Sequence, residues 1–345
     1  MAEPVQAAVT QVAVTGASGY ITLHVIAQLL DEGYGVRGTL RDLARGERLR
    51  TALSLQTETS NLSFVQADLT SDDGWDAAFA GCQYVIHMAS PLPIVEPRNH
   101  DDLIIPARDG ALRALGAASR AGVERVVMTS SVAAISCGHA DKTTFTEDDW
   151  SVVKPEIGAY AASKTIAERA AWDFVAGLPA GQSLELVTIN PSLVIGPLID
   201  PDGSASIEVV RKFLAREMAG CPKLGFGLVD VRDVAAAHVV AMTAGEAPGK
   251  RYIANTEFRW MVQLAEQLNR EFGPRGHPVP TRVLPNFIIK LVALFDRTVA
   301  RIVPELAMQK HYDSAAIRRD LNWQTRPMDE TVRDTAESLL DLRVV

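Results

Sequence analysis

The sequence predicts an α/β fold, in which a doubly wound parallel sheet carries a smaller, interleaved lobe towards the C-terminus. Through about the first 190 residues, short β-rich runs alternate with helical stretches, the pattern of successive βαβ units. A glycine turn leads from the first of these runs straight into the first helical stretch. After Pro191, proline and glycine interrupt the pattern, and the helical stretches become shorter and less regular.

Each element of the first part has its own signal. Runs rich in β-branched and apolar residues predict strands at 9–15, 35–40, 62–67, 84–87, 125–129 and 184–190. Apolar residues at helical spacing predict helices at 20–31, about 102–120 and 156–174. Gly33 and Gly122 follow the first two helices, as glycine commonly does at a helix C-terminus. The fifth strand is almost wholly apolar, as expected of a strand covered on both faces.

The composition excludes several classes of protein. The chain has 345 residues, 47% hydrophobic and 22% charged, which is typical of a globular protein and not of a disordered or coiled-coil chain. Since 34 Lys and Arg stand against 42 Asp and Glu, the net charge is −8, which argues against a nucleic-acid binder. No apolar run approaches the ~20 residues that span a bilayer, and no secretory signal is visible. The three cysteines are far apart, so we expect a cytoplasmic protein without disulfides or a bound metal.

The glycine turn comprises Gly16, Ser18 and Gly19, followed by Tyr20 and Ile21 at the start of the helix. Glycine permits a tight turn and a close approach to a pyrophosphate, whose charge faces the N–H groups of the following helix. Thr22 stands where the usual spacing has a third glycine, and because that position serves helix–sheet packing, we expect only a local adjustment. An ordinary glycine turn is the alternative, but the place between first strand and first helix favours a dinucleotide site.

The end of the second predicted strand indicates which dinucleotide binds. An NAD site normally has an acidic residue there for the ribose 2′-OH, whereas this strand ends with Leu40-Arg41. A guanidinium suits a 2′-phosphate in charge and geometry, so Arg41 predicts NADP(H). Arg45 and Arg48 follow at helical spacing and are expected to help, with a solvated basic helix face as the alternative.

The change of pattern after Pro191 predicts that the chain has two parts. We expect an NADP-binding domain over 1–190 and about 226–254, because sheet elements in the second range are expected to return to the first part. A substrate-binding lobe with C-terminal helices is expected over 191–225 and 256–345.

Further cofactor contacts are expected after the third and fourth strands. Asp68 can accept a hydrogen bond from an adenine amine, cap a helix, or do both. Small residues after the fourth strand allow the backbone to approach the cofactor. His87, which ends that strand, has no second His or carboxylate at metal-ligand spacing, so we expect a core histidine.

A tyrosine and a lysine four residues apart predict the catalytic centre. Tyr160 and Lys164 lie in a helical stretch, so both point to one side. A carbonyl that receives a hydride becomes an alkoxide, which a phenol can protonate once a nearby ammonium has lowered its pKa. Ser131, at the carboxyl end of the fifth strand, is expected to donate to the oxyanion. Ser130 is the alternative, and turn chemistry explains whichever serine is not used.

Together the motifs resemble the extended short-chain dehydrogenase/reductase family. They are Thr15-Gly16-Ala17-Ser18-Gly19-Tyr20-Ile21, Asp68-Leu69, His87-Met88-Ala89-Ser90-Pro91, Thr129-Ser130-Ser131, Tyr160-x-x-x-Lys164, Asn190-Pro191-Ser192-Leu193-Val194-Ile195-Gly196-Pro197, Asp230-Val231-Arg232-Asp233-Val234-Ala235-x-x-His238 and Ser314-x-x-Ile317-Arg318-x-x-Leu321-x-Trp323. The resemblance covers nearly the whole chain. It is greatest to the branch of dihydroflavonol reductases, cinnamoyl-CoA reductases and yeast-type methylglyoxal and carbonyl reductases.

The resemblance implies a Rossmann-type fold and an NADPH-dependent reductase of aldehydes and ketones, with Ser131, Tyr160 and Lys164 as catalytic residues. The expected cofactor-binding residues are Gly16, Ser18, Gly19, Tyr20, Ile21, Arg41, Arg45, Arg48, Asp68, Leu69, Met88, Ala89, Ser90, Thr129, Lys164, Pro191, Ser192 and Leu193. The expected substrate pocket is lined by Ser90, Pro91, Ile135, Cys137, Leu193 and Phe226. A small carbonyl compound is the expected partner of a monomer or homodimer, without nucleic acid or membrane.

Two other functions stay open from the sequence. One is an NAD(P)-dependent nucleotide-sugar epimerase or dehydratase on the same fold, for which segment 198–227 carries no diphosphate-clamping signal. The other is a non-catalytic NADP-binding protein, against which the complete set of Ser131, Tyr160 and Lys164 speaks.

Overall fold

The computed structural model describes residues 9–91, 97, 99–202, 205–295, 299 and 302–345. The strands are β1 (Gln11–Thr15), β2 (Gly35–Leu40), β3 (Leu62–Gln66), β4 (Tyr84–His87), β5 (Arg125–Thr129), β6 (Thr144–Phe145), β7 (Glu185–Pro191), β8 (Leu193–Ile195), β9 (Cys221–Pro222), β10 (Gly225–Asp230), β11 (Arg251–Ala254), β12 (Glu257–Trp260), β13 (Val283–Leu284) and β14 (His311–Tyr312). Seven of them form a parallel main sheet in the order β11-β7-β5-β4-β1-β2-β3.

Seven of the described helices cover the two faces of this sheet. The helices are α1 (Tyr20–Asp31), α2 (Gly46–Ser54), α3 (Trp75–Phe79), α4 (Asp101–Arg120), α5 (Gly158–Ala176), α6 (Glu208–Leu214), α7 (Val231–Thr243), α8 (Met261–Phe272), α9 (Asn286–Val292), α10 (Ala315–Leu321) and α11 (Met328–Asp341). One apolar cluster joins α1, α2, α7 and α10 to one face, and another joins α3, α4 and α5 to the other. The predicted doubly wound, Rossmann-type sheet is therefore confirmed.

Alternate side chains of the central strands supply the two cores. In β1, Val12 and Val14 pack into the cluster with α1 and α7, whereas Ala13 between them packs into the cluster with α4. Every residue of β5 is buried. This alternation follows from the two-residue period of a strand and explains why the central residues of both strands are apolar.

Most of the predicted elements have the bounds that the sequence indicated. The helix α1 and the strands β2, β4 and β5 begin and end as predicted, and β1, β3 and α4 differ by one or two residues. The third predicted helix, expected at 156–174, instead begins at Gly158 and ends at Ala176. A 3-10 turn at Pro155–Ile157 precedes it, and Gly158 has a φ of 79°, a left-handed conformation that interrupts the helical path.

The remaining strands lie outside the main sheet. The strands β8, β10 and β12 form a three-stranded sheet, and a cluster of apolar residues from α6, α8 and α11 packs beside it. In the range 226–254, β11 joins the main sheet and α7 packs on it, while β10 pairs with β8 and β12. The division into two lobes stays a prediction.

Helix α1 is tied to the chain that leaves the main sheet. The Tyr20 hydroxyl donates to the carbonyl of Gly196 at 2.9 Å, and the His24 Nε2 bonds to the carbonyl of Pro197 at 2.9 Å. The two rings meet edge to face with centroids 5.9 Å apart. The helix that follows the glycine turn is thus fixed to the segment that directly follows β8, a strand of the three-stranded sheet. None of the helices in the described ranges is long and apolar enough to cross a bilayer.

Candidate active site

A long cleft lies at the carboxyl ends of the main-sheet strands. It consists of two adjoining cavities of about 360 and 530 Å³, which share Ser18, Gly19, Thr22, Met88 and Ser90 as walls. The predicted cofactor residues that line them are Gly16, Ser18, Gly19, Tyr20, Ile21, Arg41, Asp68, Leu69, Met88, Ala89, Ser90, Thr129, Lys164, Pro191 and Ser192. Ligands of open α/β sheets bind at this edge, so these residues lie where the sequence predicts the cofactor.

The glycine turn forms the floor where the two cavities meet. Gly16 has a φ of 69°, and a Cβ atom there would lie 3.0 Å from the Cα of Ala89, so glycine is required for both conformation and space. Gly19 caps α1 without a side-chain hydrogen bond, and the first turn of α1 holds no acidic residue. The N–H groups of this helix start are therefore available to an anion. Thr22 is 3% exposed, in agreement with a packing position.

Thr15 joins the ends of β1 and β4 below the turn. Its hydroxyl accepts from the backbone N–H groups of Met88 and Ala89, both at 3.0 Å, and bonds to His87 Nδ1 at 2.9 Å. Burial lowers the pKa of His87 to about 4. His87 is thus a neutral core histidine that supports the cofactor wall from below.

The far end of the cleft carries the residues expected at the adenosine half of the cofactor. Asp68 accepts from the N–H and the hydroxyl of Thr70 at 2.8 and 2.7 Å, and these bonds, helped by Arg41, lower its pKa. Asp68 thus makes a local turn as well as lining the cleft. The Arg41 guanidinium lines the same cavity and forms no ion pair with any residue in the described ranges. It is free to receive a phosphate.

Arg45 and Arg48 have acidic partners instead. Arg45 Nη2 lies 2.6 Å from Asp202, and Arg48 Nη2 lies 2.6 Å from Asp200 and 3.1 Å from Asp202. Arg45 still lines a small cavity beside Arg41, but Arg48 lines none of the cavities described here. No local pattern in the sequence indicates this pairing, because the partners are more than 150 residues apart. A contact of either arginine with the 2′-phosphate stays a prediction.

Ser131 and Tyr160 meet at the other end of the cleft. The Ser131 hydroxyl accepts from the N–H of Ala133 at 3.1 Å, as the cap of a short 3-10 turn. Both Ser131 and Tyr160 line the same cavity, and Tyr160 remains 39% exposed. Removal from water raises the pKa of the Tyr160 phenol, and the adjacent Ser131 hydroxyl opposes that rise. Of the two candidate serines, Ser131 is the one that acts on the pKa of Tyr160.

Lys164 lies one helical turn from Tyr160 and is 7% exposed. Its Nζ donates to the carbonyl of Thr129 at 3.4 Å. Burial lowers the pKa of the Lys164 amine to about 8, and the nearby charge of Glu168 opposes this shift. That this amine, as an ammonium, favours ionisation of the Tyr160 phenol stays a prediction.

Ser130 lines the same cavity but is bonded to a different residue of α5. Its hydroxyl donates to Glu168 at 2.5 Å, inside a buried polar network that the sequence reasoning missed. The spacing of Tyr160, Lys164 and Glu168, four residues apart along α5, was the available signal.

The predicted substrate pocket is only partly assembled along these cavities. Ser90 and Pro91 line them, whereas Leu193 and Phe226 pack partly buried against the apolar cluster of α6 and α8. Ile135 has no exposed surface and packs with Phe145 and Ile253. The structure therefore places this apolar residue in a small core and not on the wall of the cleft. Cys137 lies close enough to raise the pKa of Tyr160.

Three further residues line the cavity beside Tyr160 without having been predicted as part of the site. They are Val194, Asp202 and Ala205. Within the described ranges, no group of three or more His, Cys, Asp or Glu side chains is arranged to hold a metal ion.

A family model matches most of the chain. The model of the NAD dependent epimerase/dehydratase family matches residues 12–255. Among curated proteins, the chain is 35% identical over 270 residues to cinnamoyl-CoA reductase CAD2 of Medicago truncatula, covering 74% of this chain and 80% of that protein. It is 32% identical over 285 residues to an anthocyanidin reductase ((2S)-flavan-3-ol-forming) of Vitis vinifera, covering 78% and 82%.

Solved structures of similar fold extend over nearly the whole chain. Yeast methylglyoxal/isovaleraldehyde reductase Gre2, complexed with NADPH, matches with a TM-score of 0.81 at 28% identity, covering 97% of this chain and 99% of that one. Gre2 of Candida albicans in complex with NADPH matches with a TM-score of 0.79 at 29% identity, covering 96% and 99%.

Proposed function

We propose that this chain, which belongs to the NAD dependent epimerase/dehydratase family and so to the extended short-chain dehydrogenases/reductases, is an NADPH-dependent carbonyl reductase. It reduces aldehydes or ketones to alcohols. The observation that carries the proposal is that Ser131, Tyr160 and Lys164 line one cavity of the cleft, with the Ser131 hydroxyl close enough to Tyr160 to act on its pKa.

When bound, NADPH supplies the hydride that reduces the carbonyl carbon. Tyr160 gives its hydroxyl proton to the carbonyl oxygen as negative charge develops there. Ser131, already held by the N–H of Ala133, directs its own proton to the same oxygen and stabilises it. Lys164 lies one helical turn from Tyr160 as a cation. Its positive charge stabilises the phenolate that forms when Tyr160 gives up its proton.

The cofactor is NADP(H) rather than NAD(H). Arg41 supports this choice, because it lines the cleft beyond β2 and has no carboxylate partner within the described ranges. The pyrophosphate is expected on the glycine turn, where Gly16 and Gly19 leave the backbone open. The NADPH complexes of the two Gre2 structures agree with this assignment. The proposal includes a cytoplasmic location, which the unpaired state of the three cysteines supports.

A steady-state assay tests the proposal. The purified chain is mixed with NADPH or NADH and a panel of aldehydes and ketones, and oxidation of the cofactor is followed by its absorbance. We expect turnover with NADPH and a loss of about 10²- to 10⁴-fold in kcat for Tyr160→Phe. The control is Tyr34→Phe, which removes a phenol just before β2, outside the residues that line the cleft.

Three outcomes would contradict the proposal. Undiminished turnover by Tyr160→Phe would show that Tyr160 is not the proton donor. A preference for NADH would show that Arg41 does not select the cofactor. Conversion of a nucleotide sugar without net consumption of NADPH would replace the reductase by an epimerase.

A further inference from the structure

A buried carboxylate lies behind the catalytic residues. Glu168 has no exposed surface, although it is charged and the reaction described above does not use it. Its Oε2 accepts from Ser130 Oγ at 2.5 Å and from Asn190 Nδ2 at 2.8 Å. Its Oε1 accepts from Thr188 Oγ1 at 3.0 Å and from Arg251 Nε at 2.6 Å. One side chain of α5 therefore binds groups from β7, from β11 and from the residue that follows β5.

Two of these bonds lead to Ser131. Asn190 Nδ2 donates to the backbone carbonyl of Ser131 at 3.2 Å as well as to Glu168. Ser130, the other donor, immediately precedes Ser131 in the chain. Glu168 thus holds the backbone on both sides of the 130–131 peptide bond, from which the Ser131 hydroxyl reaches Tyr160.

A third bond leads to the loop near the expected substrate pocket. Arg251 Nη1 donates to the carbonyls of Glu147 and Asp149 at 2.6 and 2.7 Å, and its guanidinium stacks on Trp150 at 3.6 Å from the ring centroid. Because the Arg251 side chain is 9% exposed, its charge depends on Glu168 for compensation. The end of the segment after Cys137 is therefore held by the same carboxylate.

We propose that Glu168 is a positioning residue of the reaction, which holds the Ser131 backbone through Ser130 and Asn190, and the 147–150 segment through Arg251, in register with Tyr160 and Lys164. This inference rests on the proposed function. Its physical basis is that a catalytic hydroxyl displaced by a fraction of an ångström loses much of its effect.

The charge of Glu168 also acts on Lys164 one turn away. Since Glu168 opposes the lowering of the Lys164 pKa, its removal moves that pKa below about 8. The other titratable groups around Lys164 are His87 on β4 and His238 on α7, which bonds to Thr129, and burial lowers the pKa of both to about 4. The pKa of Tyr160 is raised. None of these three titrates near pH 8, so an alkaline limb there reports on Lys164.

The chain offers a matched control at the opposite ends of the same strands. Arg125 on β5 pairs with Glu185 on β7 at 2.7 Å, and its side chain is 6% exposed. Glu185→Gln therefore leaves a buried arginine without its carboxylate, as Glu168→Gln does, but far from Tyr160. It measures what loss of a structural ion pair does by itself.

The experiment compares Glu168→Gln, Glu168→Asp and Glu185→Gln with the wild type in kcat, KM, pH profile and Tm. For Glu168→Gln we expect kcat to fall by about 10- to 100-fold, with a smaller change in KM, and the alkaline limb of kcat/KM to move to lower pH. Glu168→Asp is expected to restore part of kcat and the position of the limb. Glu185→Gln is expected to lower Tm and to leave kcat and the position of the alkaline limb unchanged.

Two further measurements keep the test decisive. If Glu168→Gln does not fold, Ser130→Ala removes one bond while leaving the Glu168–Arg251 pair, and wild-type kcat in that variant would overturn the proposal. If the wild type reduces no carbonyl, the proposed function fails, and competitive acetylation of lysines read by mass spectrometry measures the Lys164 pKa directly. A Lys164 pKa equal in wild type and Glu168→Gln, or kinetics in Glu168→Gln like those of the Glu185→Gln control, would leave Glu168 as a structural ion pair.

Discussion

Arg41→Gln is the substitution that most directly tests how the cleft distinguishes NADPH from NADH. Arg41 lines the cavity at the end of β2 and has no ion-pair partner among the residues described. Arg45 and Arg48 have the same charge but are each bound to a carboxylate of the 200–202 segment. The three arginines should therefore contribute unequally to binding of a 2′-phosphate.

The expected magnitude follows from the contacts each arginine has to give up. Arg41 has no ion pair within the described ranges to give up, although its charge acts on Asp68, and a hydrogen bond to a charged group contributes about 1.5–3 kcal/mol. Its loss corresponds to a rise of about 10- to 150-fold in the dissociation constant of NADPH. Arg48 would have to leave Asp200 and Asp202. Because the Asp200 side chain is only 3% exposed, Arg48 would leave a buried carboxylate without its partner if it moved to the phosphate. Arg48→Gln is therefore expected to change the constant by less than about fivefold.

The assay is a fluorescence titration of each variant with NADPH and with NADH, followed by kcat/KM with both cofactors. Arg48→Gln is the control, since it removes the same charge from a nearby position on α2. We expect Arg41→Gln to weaken NADPH and leave NADH unchanged. Equal losses for both cofactors would mean that Arg41 supports the local fold, and unchanged NADPH binding would refute its role altogether.

Two further predictions concern stability. Burial lowers the pKa of His24, His87 and His238 to about 4. Below pH 6.5 these histidines therefore become protonated in the unfolded chain while they stay neutral in the folded chain. The free energy of unfolding should fall as pH falls from 6.5 towards 4, by up to about 1.4 kcal/mol per pH unit for each histidine; a flat urea-denaturation profile between pH 6.5 and 5 would contradict this. Gly16→Ala should lower the free energy of unfolding by about 1–2 kcal/mol because of the φ of 69°, and further because the new Cβ would contact the backbone of residue 89. The variant should also bind NADPH more weakly. Gly33→Ala, with positive φ but open space, should show the first cost alone, and equal losses in the two variants would refute the steric argument.

Local patterns predicted the local elements. The glycine turn before α1, the apolar β5 and the four-residue spacing of Tyr160 and Lys164 are each contained in one short segment, and the structure shows every one of them in its element. Because βαβ topology brings strand ends to one edge, the residues at those ends were predicted to share a cleft and do so.

Contacts between distant segments were not predictable in this way. The pairing of Arg48 with Asp200, and the placing of Ile135 in a core with Phe145 and Ile253, depend on how two loops pack. Neither leaves a periodic signal in the sequence. Glu168 lies between these cases, since its spacing from Lys164 was visible, but its partners Arg251 and Asn190 come from strands far along the chain.

The two bonds from α1 to the carbonyls of Gly196 and Pro197 limit how such chains can be recombined. An engineer who replaces the residues after 191 with those of a relative, to change the substrate, cuts the chain just before these two carbonyls. The incoming segment must present both of them to Tyr20 and His24, or the start of the helix behind the pyrophosphate turn loses its anchor. A chimera joined after Pro197 keeps the anchor with its own helix.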